Sequence, residues 1–225
     1  MKKILLLLVS VINLVPVFCQ NDYKLSEAGG NLVCTGFFST DSNDKSMFAS
    51  SLLWCMEDGK GIADTFVARD FANYKFVAKL RRNAKDNDKK SISFILKVQV
   101  KDGQMSYSIA EIKVFESLLP IPSAIEKYYP PRKSKQEEVI AWVTDICSET
   151  MNDLTAFIHN SHPVFSEHWD AICRKSIEPG MTADECVLVM GKPINRQNSG
   201  NREQWMYENS TYIIFENGVV KTLLD

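Results

Sequence analysis

Histidine is scarce in this chain, with three residues in 225, all confined to positions 159–168. So tight a grouping leaves no serine, histidine and aspartate set to argue for a hydrolase. There is no HExxH pattern and no CxxC pair, the spacings on which a catalytic or structural zinc would rest. The Gly59-Lys60-Gly61 stretch lacks the spaced glycines and the following Ser or Thr of a phosphate loop. With a formal net charge of −2 and no dense basic stripe, nothing marks a dedicated nucleic-acid binder. The basic run at 81–90 is interrupted by Asp86 and Asp88 and reads as a solvated hairpin loop. Past the first twenty residues no apolar run is long enough to cross a bilayer. After Cys19 come Cys34, Cys55, Cys147, Cys173 and Cys186, an odd and irregular set that is no disulfide framework. The last four fall on apolar faces of predicted helices and read as buried free thiols.

What the chain does contain begins with an address. Lys2 and Lys3 precede an apolar run over 4–18, the layout of a secretory signal. Val17 and Cys19 are tolerable at the two positions a signal peptidase reads. Cleavage after Cys19 is expected, leaving Gln20 as the new N-terminus. The alternative is lipidation of Cys19, which would tie the protein to a membrane; Phe18, where a small residue is usual, speaks against it. Either route exports the chain, so 1–19 is set apart as signal peptide and 20–31 as a polar leader.

Residues 32–38 suit a short strand. Caps at 41–44 open a helix to about position 57, with Phe48, Leu52 and Cys55 as its apolar stripe. Three alternating strands follow. Tyr74, Phe76, Ala78 and Leu80 share one face, as do Ile92, Phe94, Leu96, Val98 and Val100. Asp102-Gly103 is a strong hairpin turn. The next strand starts with Met105, Tyr107 and Ile109, then changes parity to Ile112 and Val114, which requires a β-bulge near Ala110 and Glu111. After a proline-rich stretch, Ser134 and Glu137 are expected to form a capping box for a long helix to about position 159. Residues 32–159 therefore read as an α+β domain, an antiparallel sheet with helices on one face.

A linker at 160–166 leads to a second domain at 167–225. Its short first helix, to Arg174, turns Trp169, Ile172 and Cys173 inward. The second is bounded on both sides: in IEPGMTADECVLVMGKP, Thr182 and Glu185 form a capping box, Gly191 supplies a stop, and Pro193 blocks continuation. Strands are expected at 204–208, 211–216 and 219–224, with turns at Asn209-Ser210 and Asn217-Gly218. The expected fold class is α+β in two domains, each an antiparallel sheet packed with helices, the second with two helices followed by three strands.

The motifs Gly180-Met181-Thr182, Gly191-Lys192-Pro193, Trp205-Met206-Tyr207 and Asn217-Gly218 resemble those of the SmpA/OmlA (BamE-like) outer-membrane lipoprotein family over about 167–225. The resemblance implies a β-lactamase-inhibitor-like fold and non-enzymatic binding of other envelope proteins, in the periplasm or at the outer membrane of a Gram-negative bacterium. The stretches SLLWCMEDGKG and ISFILKVQVKDGQMSYSIAEIKV resemble a secreted bacterial domain of unknown function with a TBP-like fold. That label implies a shape and carries no ligand with it.

No catalytic, cofactor-binding or metal-ligating residue is assigned. His159, His162 and His168 lie near Glu167 and Asp170, but around a proline-containing linker rather than on one helix face. A thiol and imidazole pair such as Cys173 with His168 could be a nucleophile, but burial explains the cysteine better. Asn209-Ser210-Thr211 fits a glycosylation pattern and reads as a turn. The candidate protein interface is the last sheet: Trp205, Tyr207, Tyr212 and Phe215 are its aromatic anchors. Pairing across Asn217-Gly218 would set Phe215 opposite Val220 and Tyr212 opposite Leu223, on opposite faces. The expected function is an exported, non-enzymatic protein-binding module whose partner is an envelope protein, with no nucleic acid and no cofactor. The alternative is an inhibitor-like protein that captures an envelope or extracellular enzyme.

Overall fold

The computed structural model describes residues 25–57, 63–84, 87–116, 121–161 and 167–224. The expected signal and cleavage point at Cys19 and Gln20, together with His162, lie outside them. The fold is α+β. Strands β1 (Ser26–Ala28) and β2 (Asn31–Ser39) precede helix α1 (Asp44–Met56). Next come β3 (Ala63–Asp70), β4 (Lys75–Ala84), β5 (Asn87–Lys101), β6 (Gln104–Phe115) and the short β7 (Ser123–Ala124). A single 3-10 turn at Ile125–Tyr128 leads to the long α2 (Ser134–Asn160). Helices α3 (Trp169–Arg174) and α4 (Ala183–Met190) are followed by β8 (Asn195–Ser199), β9 (Arg202–Met206), β10 (Tyr212–Glu216) and β11 (Val219–Leu224).

The larger sheet runs β1-β2-β6-β5-β4-β3 with β7 beside β6; the smaller runs β11-β10-β9-β8. Every strand pair is antiparallel. The bulge demanded by the parity change is present. Ser93 pairs with Lys113 and Ile95 with Ala110, so Glu111 and Ile112 together oppose Phe94. Glu111 takes the positive φ of 52° that lets the strand bend there. Below it, Met105, Tyr107 and Ile109 are buried on the helix side, and so are Ile112 and Val114 beyond it.

Four features differ from the sequence reading. First, α1 is buried from Met47 through Cys55, well beyond a Phe48, Leu52 and Cys55 stripe. The sheet and α2 cover part of it, and α4 covers more, so a helix that reads as one-sided is enclosed. Second, Ser134 and Glu137 form no capping box: α2 starts from Lys133 without a side-chain cap, while the Arg132 backbone N–H donates to Gln136 Oε1 at 2.9 Å. Third, strands β1, β3, β7 and β8 had no expectation. The register of β3 shifts twice, which destroys the period-two pattern, and β8 is exposed along its whole length, so it has no apolar phase to read. The smaller sheet thus has four strands instead of three. Fourth, Cys173 is exposed, whereas Cys34, Cys55, Cys147 and Cys186 are buried.

The signals around α4 hold. Thr182 Oγ1 accepts from the Glu185 backbone N–H, and Glu185 Oε2 accepts from that of Thr182 at 2.7 Å. Gly191 closes the helix at φ 79° and ψ −166°. Asp44, at the first turn of α1, accepts from the Asp102 and Gly103 backbone N–H groups at 2.9 and 2.7 Å, pinning the β5–β6 turn to the helix. Trp169 joins the two parts of the chain. Its ring lies 6.3 Å from Phe48, 5.9 Å from Phe71 and 5.9 Å from Tyr74. Arg69 of β3 donates to the Leu188 carbonyl of α4 at 3.3 Å. Buried residues of both sheets form one continuous cluster.

Candidate functional site

The four aromatics of the smaller sheet do not form an open surface. Trp205 is 1% exposed, with its ring 4.6 Å from Phe215, which is 2% exposed. Arg196 lies over the Trp205 ring at 4.2 Å, and Trp205 Nε1 donates to Glu203 Oε1 at 2.6 Å. Tyr207 is buried and donates through its hydroxyl to the Gly191 carbonyl at 3.2 Å. Tyr212 alone stays half-buried. Phe215 does pair with Val220, but a register shift between Ile214 and Phe215 sets Tyr212 opposite Leu224 and puts Leu223 opposite Ile213. Leu223 therefore belongs with Ile213 and not with Tyr212. Burial makes Trp205, Tyr207 and Phe215 parts of the core, where aromatic area is as useful as at an interface and the sequence looks the same.

The two described histidines, His159 and His168, lie on different elements. His159 is exposed at the end of α2, and His168 sits beside the start of α4. His168 Nδ1 lies 3.2 and 3.3 Å from the two oxygens of Glu185. Glu185 is only 2% exposed and also serves the capping box. A buried carboxylate held from three sides is well satisfied, and this cluster ties α3 to α4. Among the described residues no group of three potential metal ligands occurs. Cys173, the exposed thiol, has its pKa raised by burial and by Asp170, the opposite of a nucleophile's environment.

The surface that stands out is the far side of the larger sheet. Helices cover one side, on which Phe76, Leu80, Phe94, Leu96 and Ile109 are buried. The alternate residues point the other way. Following the registers across the strands, one row is Thr35, Ser108, Lys97, Val77 and Ala68. The next is Phe37, Ser106, Gln99, Lys75 and Asp70. A third has Ala110, Ile95 and Lys79, and a fourth Lys113, Ser93 and Arg81. Thr35, Phe37, Lys79, Lys97, Gln99 and Ser106 are exposed, and Phe37 retains 51% of its surface. Val77, Ile95 and Ala110 are half-buried at the centre. Arg81 lies flat: it donates to Ser91 Oγ at 3.3 and 3.1 Å, and its guanidinium is 4.5 Å from the Phe115 ring centre.

Chemically, this face offers small apolar contacts ringed by hydroxyls, amides and cations, which suits recognition. The sequence contained the signal for it. The residues between the core positions of an alternating strand are the opposite face, and here they read Thr-x-Phe, Lys-x-Gln and Ser-x-Ser-x-Ala.

No family model matches the chain, and no curated protein does. Among solved structures, a TBP-like protein from Parabacteroides distasonis ATCC 8503 is similar at a TM-score of 0.50 and 9% identity, over 61% of this chain and 99% of that one. A DUF4468 family protein from Bacteroides ovatus ATCC 8483 has a TM-score of 0.49 and 13% identity, over 63% and 93%. At such identities the likeness to the TBP-like protein is one of fold, and it agrees with the TBP-like shape expected for the first part of the chain.

Proposed function

We propose that this is an exported, non-enzymatic protein-binding module that uses the open face of the larger sheet. The observation that carries the reading is the half-buried apolar centre of Val77, Ile95 and Ala110 within a rim of exposed polar and charged residues. An apolar centre and a polar rim are the anatomy of a protein interface. Two sequence features support the rest of the reading: the signal-like residues 1–19, and the SmpA/OmlA-like motifs of 167–225 with their non-enzymatic implication. Capture of an envelope or extracellular enzyme is the same activity with a particular partner.

A photo-crosslinking amino acid placed at Ser108, in the middle of the face, tests this in cells. The expected result is one dominant protein adduct that is absent when the crosslinker replaces Glu149, which is exposed on α2. No adduct from Ser108, or the same adducts from both positions, would reject the open face as the binding surface.

A further inference from the structure

The charge on the open face is mainly positive. Lys75, Lys79, Arg81, Lys97, Lys101 and Lys113 all project from it and are exposed. Among the described residues its carboxylates are few and peripheral. Asp70 pairs with Lys75 at 3.7 Å and Asp102 lies 4.0 Å from Lys101, both at strand ends; Glu111 sits at the bulge. Two of the interior cations, Lys97 and Lys113, stand opposite uncharged residues on the neighbouring strands. Lys97 is flanked by Val77 and Ser108, and Lys113 by Ser93 and Ala124. Helix α2, on the other side of the sheet, has the reverse bias, although Lys90 and Arg82 pair with its Glu138 and Asp153. Along α2, Glu137, Glu138, Asp145, Glu149 and Asp153 are exposed against a single helical lysine, Lys135. A net charge of only −2 thus conceals a chain whose charges are sorted by face.

Resting on the protein-binding reading above, we infer that the partner presents an acidic protein surface, with carboxylates surrounding an apolar contact. Covering Lys97 and Lys113 with a neutral surface would strip their water without compensation, whereas carboxylates restore the lost interactions as charge-assisted hydrogen bonds. The apolar centre favours polypeptide over a phosphate polymer. Val77, Ile95 and Ala110 give a phosphate backbone nothing to bind, but they match an aromatic or aliphatic side chain set among Glu and Asp. Such a surface also steers the encounter, so binding is salt-sensitive.

The test uses the full mature chain and a random copolymer of glutamate and tyrosine as the probe, with backbone amide resonances as the readout. Shifts are expected at Val77, Ile95, Lys97 and Ser108. Affinity should fall steeply as salt rises from about 50 to about 300 mM, because exposed charges are then screened. The Lys97→Glu/Lys113→Glu pair should weaken binding by about tenfold or more, with Lys221→Glu on the smaller sheet as an unaffected control. The wild-type salt response stands even if the double variant folds poorly. Shifts on the open face with no salt dependence would overturn the acidic partner and leave the binding face intact. Tighter binding of a DNA duplex or of phosphatidylglycerol vesicles than of the copolymer would overturn it in favour of a phosphate-bearing ligand. Shifts confined to other surfaces would overturn both the acidic partner and the face.

Discussion

Replacing Trp169 with alanine should separate the two parts of the molecule energetically. Trp169 is 6% exposed and begins α3. Its indole meets Phe48 of α1 and both Phe71 and Tyr74 of the β3–β4 turn, with Lys45 Nζ 5.4 Å above the ring. The change removes nearly the whole side chain from a site walled by rigid rings, which cannot collapse to fill it. Truncations of this kind cost about 3–5 kcal/mol. A domain is stable by only about 5–15 kcal/mol, so this is a large share. Urea denaturation followed by circular dichroism measures it. The wild type should unfold in one transition because its core is continuous. The variant should lose midpoint and show two transitions, one for each sheet. Trp169→Phe, which keeps a ring against Phe71, should lose less. A single unshifted transition in Trp169→Ala, or a loss below about 1 kcal/mol, would show that the joint lies elsewhere, in the packing of α4 on α1 or the Arg69 contact to α4.

Three further outcomes follow from local structure. Thr182→Ala removes the cap of α4 and should cost about 1 kcal/mol, with Thr182→Ser restoring most of it in the same denaturation assay. Gly191→Ala should cost about 1–3 kcal/mol, since a φ of 79° with ψ −166° is disfavoured by any side chain even where space is open. Alkali should destabilise the fold. Burial pushes the Cys186 thiol from 9.0 up to about 12 and raises Cys55 as well. Between those pH values the unfolded chain has released protons that the folded chain retains, so stability falls as pH rises above about 9. Thermal midpoints from pH 8 upward should show this decline, and Cys186→Val should flatten it.

Much of the architecture was legible because it is encoded locally. The Asp102-Gly103 turn, the parity change at Glu111 and the capping box at Thr182 each combine a residue type with a spacing that has one physical meaning. Burial set by tertiary packing was not legible in this way. Ser50 and Ser51 of α1 are enclosed because α2 and α4 arrive from distant parts of the chain. Trp205 and Phe215 could have been interface or core, and only the position of the neighbouring elements decides. Strand β3 was missed because its two register shifts erase alternation, and β8 because it has no buried side to alternate with. The open face was readable in principle. Its residues are the second phase of each alternating strand, and charge sorting appears only when separate strands are laid side by side.

Lysine footprinting tests the central claim most directly, and it requires no substitution. An amine-reactive acylating reagent is applied to the purified protein and to intact cells, and each lysine is quantified by mass spectrometry. If the open face is the binding surface, Lys97 and Lys113 react in the purified protein and are protected in cells, while Lys135 on α2 and Lys221 on the smaller sheet react in both. Equal labelling of Lys97 and Lys113 in the two settings, with protection at Lys135 or Lys221 instead, would contradict the account.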